Sequence, residues 1–263
     1  MPEKLFQING LAYLQLSTPK KELCDQLKEN FGFKKFDGKP DGLIQTDLRE
    51  DFPEKIHTAA FFGNRDGEIA SIIPGLTHKI LDTKKFSDIS APERQKSKIQ
   101  FDFIDHIALV VHLADFAKTS EWYQNTFGLR KIVEHRIAAR NNGMILTVLK
   151  PPDSSFATVI SGKSRNKKSF NLFLTASLSQ ENQSDHIKTY LSKNGPGIQH
   201  IAFHCNINDE LMKLEMIKNL EIVPTPKNYY EREHVIECVK KIKYDMEILK
   251  VQKIIYLLIN VKT

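Results

Sequence analysis

Two histidines in matching sequence contexts are the residues of this chain best suited to chemistry. His106 stands in the apolar run Phe103–Val111 and His200 in the run Ile198–His204, and each is followed by Ile-Ala. Both runs have the composition of buried strands. Neutral imidazole is a good metal ligand, and two histidines with one carboxylate form the iron site of many non-haem oxygenases. The pair predicts a metal site; a hydrogen-bonded core histidine is the alternative at each position.

The separation of the two histidines indicates the kind of scaffold that would hold them. They lie 94 residues apart (200 − 106), each near the start of its own apolar run. This spacing favours ligands supplied by two repeated modules over ligands supplied by one helix. Neither an HExxH helix nor a CxxC pair is present in the sequence, which argues against the common zinc motifs.

Composition narrows the class of protein. The 263 residues are 41% hydrophobic and 27% charged, which is ordinary for a globular protein of one large or two small domains. The net charge is +6, but its densest basic clusters, Lys163–Lys168 and Lys240–Lys243, are short and lack interleaved aromatic residues. We therefore expect a solvated surface and no nucleic-acid partner.

The cysteines and the apolar segments predict where the protein works. Cys24, Cys205 and Cys238 are odd in number and far apart, which is typical of reduced thiols and not of a disulfide framework. No apolar run approaches the roughly 18 residues of a membrane-spanning helix. We expect a soluble, cytoplasmic protein without a membrane partner.

A strand-helix-strand pattern occurs twice and supports a modular duplication. Strand 10–18, a helix Pro19–Phe31 capped by Thr18, and a strand after Gly32 match the later His106 strand and a helix around Thr119–Phe127. Further expectations are listed together: a hairpin around Asn64–Gly67, a polar linker at 82–100, two strands about the turn at 151–155, an inserted surface loop at 163–182, and helices at His186–Lys193, Asp209–Asn219 and Tyr229–Lys243.

Several motifs together resemble one family of enzymes. The segments FIDHIALVV, SEWYQNTFGLRKI, NNGMILTVL, NGPGIQHIAFHCNI and PTPKNYY are similar, in order and spacing, to the C-terminal half of 4-hydroxyphenylpyruvate dioxygenase. The related hydroxymandelate synthase shares these motifs. The resemblance implies an α+β fold of the vicinal-oxygen-chelate type, with βαβββ modules and a curved mixed sheet. It divides the chain into a shortened N-terminal domain with linker at 1–98 and a catalytic-type domain at 99–263 that ends early.

The resemblance also implies a reaction. His106 and His200 would bind Fe(II), and Gln199 would contact the substrate. An aromatic 2-keto acid and O2 would be the small-molecule partners. The family converts 4-hydroxyphenylpyruvate to homogentisate in tyrosine catabolism. A homo-oligomer is also compatible with the resemblance.

Some positions depart from the family pattern. The Phe-Phe-Glu that supplies the third iron ligand is absent, and Glu237 and Glu247 stand in a predicted helix. The family's substrate-contacting Ser falls at Leu146, its Asn-Glu-Pro near Ser161–Lys163, and a second Gln near His186. Three interpretations therefore stay open: a 4-hydroxyphenylpyruvate dioxygenase-like enzyme, a hydroxymandelate synthase-like enzyme, and an inactive remnant or binding protein of the same fold.

Overall fold

The described part of the chain folds into two six-stranded sheets. A computed structural model describes residues 6–35, 44–48, 54–86, 103–139, 142–152, 170–180, 185–204 and 255–258. The first sheet has the order β2-β3-β1-β4-β6-β5. Its strands are β1 (Ile8–Thr18), β2 (Lys34–Lys35), β3 (Ile44–Leu48), β4 (Lys55–Gly63), β5 (Gly67–Ala70) and β6 (Thr77–Asp82).

The second sheet carries the two histidine strands side by side. Its strands are β7 (Phe103–Val110), β8 (Arg130–Ala139), β9 (Asn142–Lys150), β10 (Asn171–Ser177), β11 (Gly197–His204) and β12 (Ile255–Leu258), in the order β12-β11-β7-β10-β9-β8. The helices are α1 (Lys21–Phe31), α2 (Leu113–Phe127) and α3 (His186–Asn194), with a short 3₁₀ helix at Thr83–Phe86. The run β7-α2-β8-β9-β10 is a complete βαβββ module, as predicted.

Each sheet is built around one antiparallel pair of strands. β1 pairs with β4 in the first sheet, and β7 pairs with β11 in the second. Outside each pair, β3 runs parallel to β1, β6 to β4 and β10 to β7. β12 differs, since it runs antiparallel to β11. The two halves of the chain therefore repeat the antiparallel pair and the parallel strand beside β1 or β7, while the outer strands differ in direction.

One hydrophobic core joins the two sheets and helix α2. Phe33 of the first half and Phe203 of β11 have ring centroids 6.1 Å apart. Phe61 of β4 lies 5.5 Å from Phe127 of α2, measured in the same way. Phe61, Phe127 and Phe203 are almost completely buried. The core therefore lies on one face of the second sheet, and the other face is left for the histidines.

The first helix is shorter at its N-terminus than predicted. It begins at Lys21, and the Thr18 hydroxyl accepts a hydrogen bond from the backbone N–H of Lys20 at 3.1 Å instead of capping the helix. Its end is as predicted, because Gly32 takes the left-handed conformation (φ 71°) that stops a helix at low cost. Leu27 and Phe31 form its buried stripe.

The hairpin predicted around Asn64–Gly67 is wrong. β4 and β5 do not pair with each other; β4 pairs with β6 in parallel, and β5 pairs with β6 antiparallel. The tight turn lies later, where the N–H of Ser71 donates to the carbonyl of Leu76 at 2.9 Å. Asn64, one of the predicted turn residues, instead contacts the segment before β1, because its backbone N–H donates to the carbonyl of Gln7 at 3.1 Å.

The surface loop predicted at 163–182 is also wrong in its described part. Residues 171–177 form β10, which lies between β7 and β9 near the middle of the second sheet. Leu172, Leu174 and Ala176 are completely buried, so the alternation of apolar residues there reflects a core strand. The strand before the turn at 151–155 is β9, and it forms a hairpin with β8, the strand that precedes it.

Other predictions fall outside the described residues or agree with them. Helix α3 confirms the helix predicted at His186–Lys193. The helices predicted at 209–219 and 229–243, the strand predicted after the 151–155 turn, and Cys205 and Cys238 lie outside the described residues, as does most of the linker. Within the described ranges, no helix is long and apolar enough to cross a membrane.

Candidate functional site

His106 and His200 lie on two neighbouring strands of the second sheet, β7 and β11, and on the same face. His106 on β7 is paired with Ala202 on β11, and His200 is paired with Ala108. Residues opposite each other in an antiparallel pair share a face, so the four side chains form a square. The two imidazole centroids are 5.6 Å apart, and the rings are nearly perpendicular at 77°. The alanines leave room above the sheet between the rings.

The ring separation fits two ligands of one metal ion. With a metal–nitrogen bond of about 2.1 Å, two imidazoles that share a metal have their ring centroids no more than about 6.5 Å apart. The observed 5.6 Å lies within that limit. The structure therefore brings together the two predicted ligands, although they are 94 residues apart in sequence.

The side chain of the residue before each histidine contacts Nδ1 of the imidazole ring. Nδ1 of His106 lies 2.7 Å from Oδ2 of Asp105, and Nδ1 of His200 lies 3.3 Å from Oε1 of Gln199. A carboxylate oxygen only accepts, so the neutral His106 donates from Nδ1 and carries its lone pair on Nε2. Metal-binding histidines are commonly oriented by such an acceptor on the other nitrogen. Asp105 was not singled out from the sequence, although an acidic residue beside a candidate ligand is the available signal.

Gln199 lies in an irregular part of the histidine strand. The pairing of β11 with β7 shifts by one residue between Ile198 and His200, which is the mark of a β-bulge. Gln199 is buried, and its side-chain oxygen accepts from His200. The residue predicted to contact substrate thus orients a histidine; its contact with substrate stays a prediction.

Phe173 covers one face of the His106 ring. Its ring lies parallel to the imidazole, with centroids 4.0 Å apart and planes inclined by 7°. Phe173 is on β10, directly opposite Ala108. Sequence reasoning missed this residue because it assigned the segment to a loop. Together with Asp105, Phe173 restricts the orientation of the His106 ring.

The environment of His200 keeps its ring neutral. Burial, together with the smaller effects of the nearby imidazoles of His106 and His186, lowers the pKa of His200 to about 4. A neutral ring presents a lone pair, which metal binding requires. His200 therefore suits a ligand role over the whole neutral range of pH.

Within the described residues, the two histidines are not joined by a third side chain of a common metal-binding type. Among them, no group of three or more His, Cys, Asp or Glu side chains is placed to hold one metal ion. On β12, the position opposite His200 is Leu258 and the one opposite Ala202 is Tyr256, so neither is a carboxylate residue. Glu237 and Glu247 lie outside the described residues.

The positions where the sequence departs from the family pattern are spread over the site. Leu146, on β9, is opposite Thr175 and so lies on the histidine face. His186 is the first residue of α3 and is exposed. Residues 161–163 lie outside the described residues.

A small cavity lies away from the histidines and does not compete with this site. It has a volume of about 30 Å³ and lies between the start of β4 and the α3-β11 turn, lined by residues that include Glu54, Gly75 and Tyr190. Since one water needs about 10–15 Å³, this space suits one to three waters and no larger ligand.

Known structures share this architecture. A triple mutant of 4-hydroxymandelate synthase from Streptomyces coelicolor superimposes with a TM-score of 0.61 over 89% of this chain and 82% of that one, at 14% identity. A fusion of a xylose isomerase-like TIM barrel with 4-hydroxyphenylpyruvate dioxygenase gives a TM-score of 0.56 over 95% of this chain and 44% of that one, at 15% identity.

Sequence comparisons are less informative. No family model matches the chain. The uncharacterized protein slr0090 of Synechocystis sp. is 25% identical over 131 residues, which are 49% of this chain and 34% of that protein. The chain thus aligns with about a third of this curated relative.

The topology and the two superpositions together define the fold class. The chain has an α+β fold of the vicinal-oxygen-chelate type, with mixed sheets built from βαβββ modules. Sequence identities of 14% and 15% support a shared fold and do not establish a shared reaction. The reaction has to be inferred from the site.

Proposed function

We propose that this chain is an iron-binding protein of the 2-oxo acid dioxygenase type, with His106 and His200 as its metal ligands. The observation that carries the proposal is the pair of imidazoles on one sheet face, 5.6 Å apart, each held at Nδ1 by the preceding side chain. Iron held there by the two histidines would supply the oxidation of a 2-oxo acid by O2.

The residues of the chain have separate roles in this proposal. His106 and His200 each offer Nε2, while Asp105 and Gln199 keep the proton on Nδ1. Ala108 and Ala202 leave the space above the sheet open to the acid. Gln199 is the candidate for a contact with the bound substrate.

The specific reaction proposed for testing first is conversion of 4-hydroxyphenylpyruvate to homogentisate, a step of tyrosine catabolism in the cytoplasm. The sequence motifs support it, and both superimposed structures carry names from this group. Hydroxylation at the benzylic carbon, as a hydroxymandelate synthase would perform, is the alternative outcome with the same ligands.

A second candidate function is a binding protein that does not turn over. It is favoured by one observation: the described residues offer no third ligand beside the two histidines. Loss of a mere orienting partner commonly costs 10- to 100-fold in metal affinity or activity, so two ligands alone should hold iron weakly. Binding of a 2-oxo acid without oxygen consumption would identify this function.

One experiment separates these functions. The purified chain is incubated with Fe(II), ascorbate, O2 and 4-hydroxyphenylpyruvate, while bound iron, oxygen uptake and product are measured. Uptake that His200→Ala abolishes would support the dioxygenase if the control variant Thr58→Ala, at a buried polar residue of β4 in the first sheet, leaves it intact. The product would distinguish ring from benzylic attack. Bound iron without uptake would support the binding protein. Failure to bind iron would contradict the metal site.

A further inference from the structure

We propose that strand β8, at one end of the second sheet, is a self-association surface. A second copy of this chain pairs with it through its own β8, antiparallel, about a two-fold axis that lies between the two copies of His135. The inference does not depend on the metal site, because it concerns the outer edge of the sheet and not the space between the two histidine ligands.

β8 is an exposed strand. It is the last in the order of the described strands of its sheet and pairs, among them, with β9 alone. Side chains on both of its faces are exposed, including Ile132 at 58% and Ile137 at 47%. Two of the three large apolar side chains that are exposed in the described residues therefore lie on this one strand. An open edge with exposed apolar side chains is a template for pairing with another strand.

The geometry of the strand limits how two copies can pair. From Val133 to Ala139 the register of β8 with β9 is continuous, so alternate residues of β8 lie on opposite faces. Residues that stand opposite each other in an antiparallel pair share a face. A two-fold axis that relates two copies of β8 must therefore lie between two copies of the same residue.

The charges on β8 select His135 for this central position. With His135 opposite its own copy, Glu134 of one chain stands opposite Arg136 of the other, and this pair occurs twice. A shift of the axis by one residue in either direction places two glutamates or two arginines opposite each other, which is unfavourable. The hydrogen bond from Lys131 is the main cause of the lowered pKa of the Glu134 carboxyl, so this side chain is charged at neutral pH.

The same register also matches the apolar side chains of the histidine face. Val133 of one chain stands opposite Ile137 of the other, and this pair too occurs twice. Val133 is half-buried and Ile137 is exposed in the single chain, so both would lose contact with water on pairing, which is favourable. Pairs of β-branched side chains at opposite positions add to the stability of a sheet.

A second copy of β8 fits this edge better than another edge of the same protein. Pairing of β8 with itself uses both edges at once and gives a closed dimer. Pairing of β8 with β12, the strand at the other end of the described sheet, would leave one edge of each chain unpaired and give open assemblies. The β12 residues are Ile-Tyr-Leu-Leu, so they present no charge to Glu134 or Arg136.

The test exchanges charges between two variants. Sedimentation velocity over a concentration series measures the association of the original chain, of Glu134→Arg and of Arg136→Glu. One strand pair is a small interface, so we expect the original chain to dimerise in the micromolar range. Each variant places like charges opposite each other at both pairs, and its dimer should be weaker by about tenfold or more. An equimolar mixture of the two variants restores opposite charges at both pairs, so a mixed dimer should form about as tightly as the original one.

Glu68→Arg is the matched control. Glu68 lies on β5, the last of the described strands of the first sheet, and forms an ion pair with Lys79 at 3.7 Å. This variant should dimerise like the original chain. Urea unfolding of each variant shows whether it is folded. If a charge variant does not fold, His135→Cys decides: a short bismaleimide should crosslink its two facing thiols well above the background of the original chain, and Glu68→Cys should stay at that background.

Three results would overturn the proposal. They are an original chain that stays monomeric, single charge variants that dimerise as tightly as the original, and a mixture of the two variants that stays monomeric. Assemblies that grow beyond the dimer would show pairing between different edges and would also contradict it. Iron bound per chain is measured separately, so each of these results leaves the proposed function standing.

Discussion

The two sheets share one backbone frame and differ in what they place at its centre. Each contains a long antiparallel pair, β1-β4 or β7-β11, and the later strand of the pair is interrupted by a bulge one position before the key residue. The matched register pairs are Tyr13 with Ala60 and Gln15 with Thr58 in the first sheet, and His106 with Ala202 and Ala108 with His200 in the second. In the first sheet, Tyr13 and Thr58 therefore occupy the positions that correspond to His106 and His200.

This comparison separates scaffold from chemistry. In the first sheet, Nδ1 of His57 lies 2.9 Å from the hydroxyl of Thr58, which mirrors the contact between Gln199 and His200. Burial raises the pKa of Tyr13, and the charge of Glu68 adds to the effect, so its phenol stays protonated at neutral pH. A buried neutral phenol and a threonine are poor substitutes for two imidazoles. The same frame therefore places a pair of imidazoles in only one of its two copies.

The largest expected effect is the loss of one histidine of the pair. We expect His200→Ala to weaken Fe(II) binding more than 100-fold, since loss of an orienting partner alone commonly costs 10- to 100-fold. The measurement is bound iron after equilibration with a competing chelator.

The matched control removes the equivalent residue of the other sheet. Thr58→Ala should leave iron binding within about twofold of the original, because Thr58 lies in the other sheet, where it is paired with Gln15. Equal loss of iron in both variants would show that the first sheet contributes to the site, and equal retention would show that His200 is no ligand.

The second prediction uses the one fully buried histidine of the first sheet, His78 of β6. Its Nδ1 donates to the carbonyl of Ala59 at 3.3 Å, and its Nε2 accepts from the hydroxyl of Tyr123 in α2 at 2.8 Å. Burial lowers the pKa of His78 to about 4. The unfolded chain, with an ordinary histidine pKa near 6.5, binds the proton more readily. Stability from this residue is therefore complete above pH 6.5 and decreases as pH falls towards 4.

The test is urea unfolding of the original chain and of His78→Gln at pH 7.5 and pH 5. The variant should be less stable at pH 7.5, because it loses ring contacts with Phe61 and Phe127. The difference in unfolding free energy between the two proteins should shrink by about 2 kcal/mol at pH 5. A difference that is constant with pH would contradict a neutral His78.

Local patterns predicted the parts of the fold that depend on neighbours in sequence. Alternating apolar residues located the strands of His106 and His200, helical periodicity located α1 and α3, and Gly32 marked a helix end. The two histidines could be paired because each is followed by the same two residues. These signals are local, and the structure agrees with them.

Strand partners could not be predicted in this way. β5 was assigned to β4 because the two are adjacent in sequence, but the register places β6 between them. β10 was missed because its flanking residues are polar, although its apolar alternation matches a core strand. Phe173 could not be found without β10, since a stacking partner is known only once β10 lies beside β7. Asp105 is different, because its position next to His106 is visible in the sequence.

A third prediction removes the acceptor that orients His106. Asp105→Ala should weaken Fe(II) binding about 10- to 100-fold, the usual cost of losing such a partner. The first sheet has an alanine, Ala12, immediately before Tyr13, so this variant makes the two frames more alike. The measurement is the same chelator competition, and Asp105→Glu serves as the conservative variant. Unchanged affinity in Asp105→Ala would show that the contact is structural.

The smallest expected effect concerns the ring stacked on His106. Phe173→Leu removes a parallel contact at 4.0 Å, and aromatic pairs contribute about 0.5–1.5 kcal/mol beyond buried area, so iron affinity should fall about two- to tenfold. Phe173→Tyr keeps the ring and should keep the affinity. Urea stability of the metal-free chain is the second readout, because a general packing defect would lower stability in proportion to affinity. If Phe173→Leu lowers stability and leaves iron affinity unchanged, the stack belongs to the scaffold that the two sheets share.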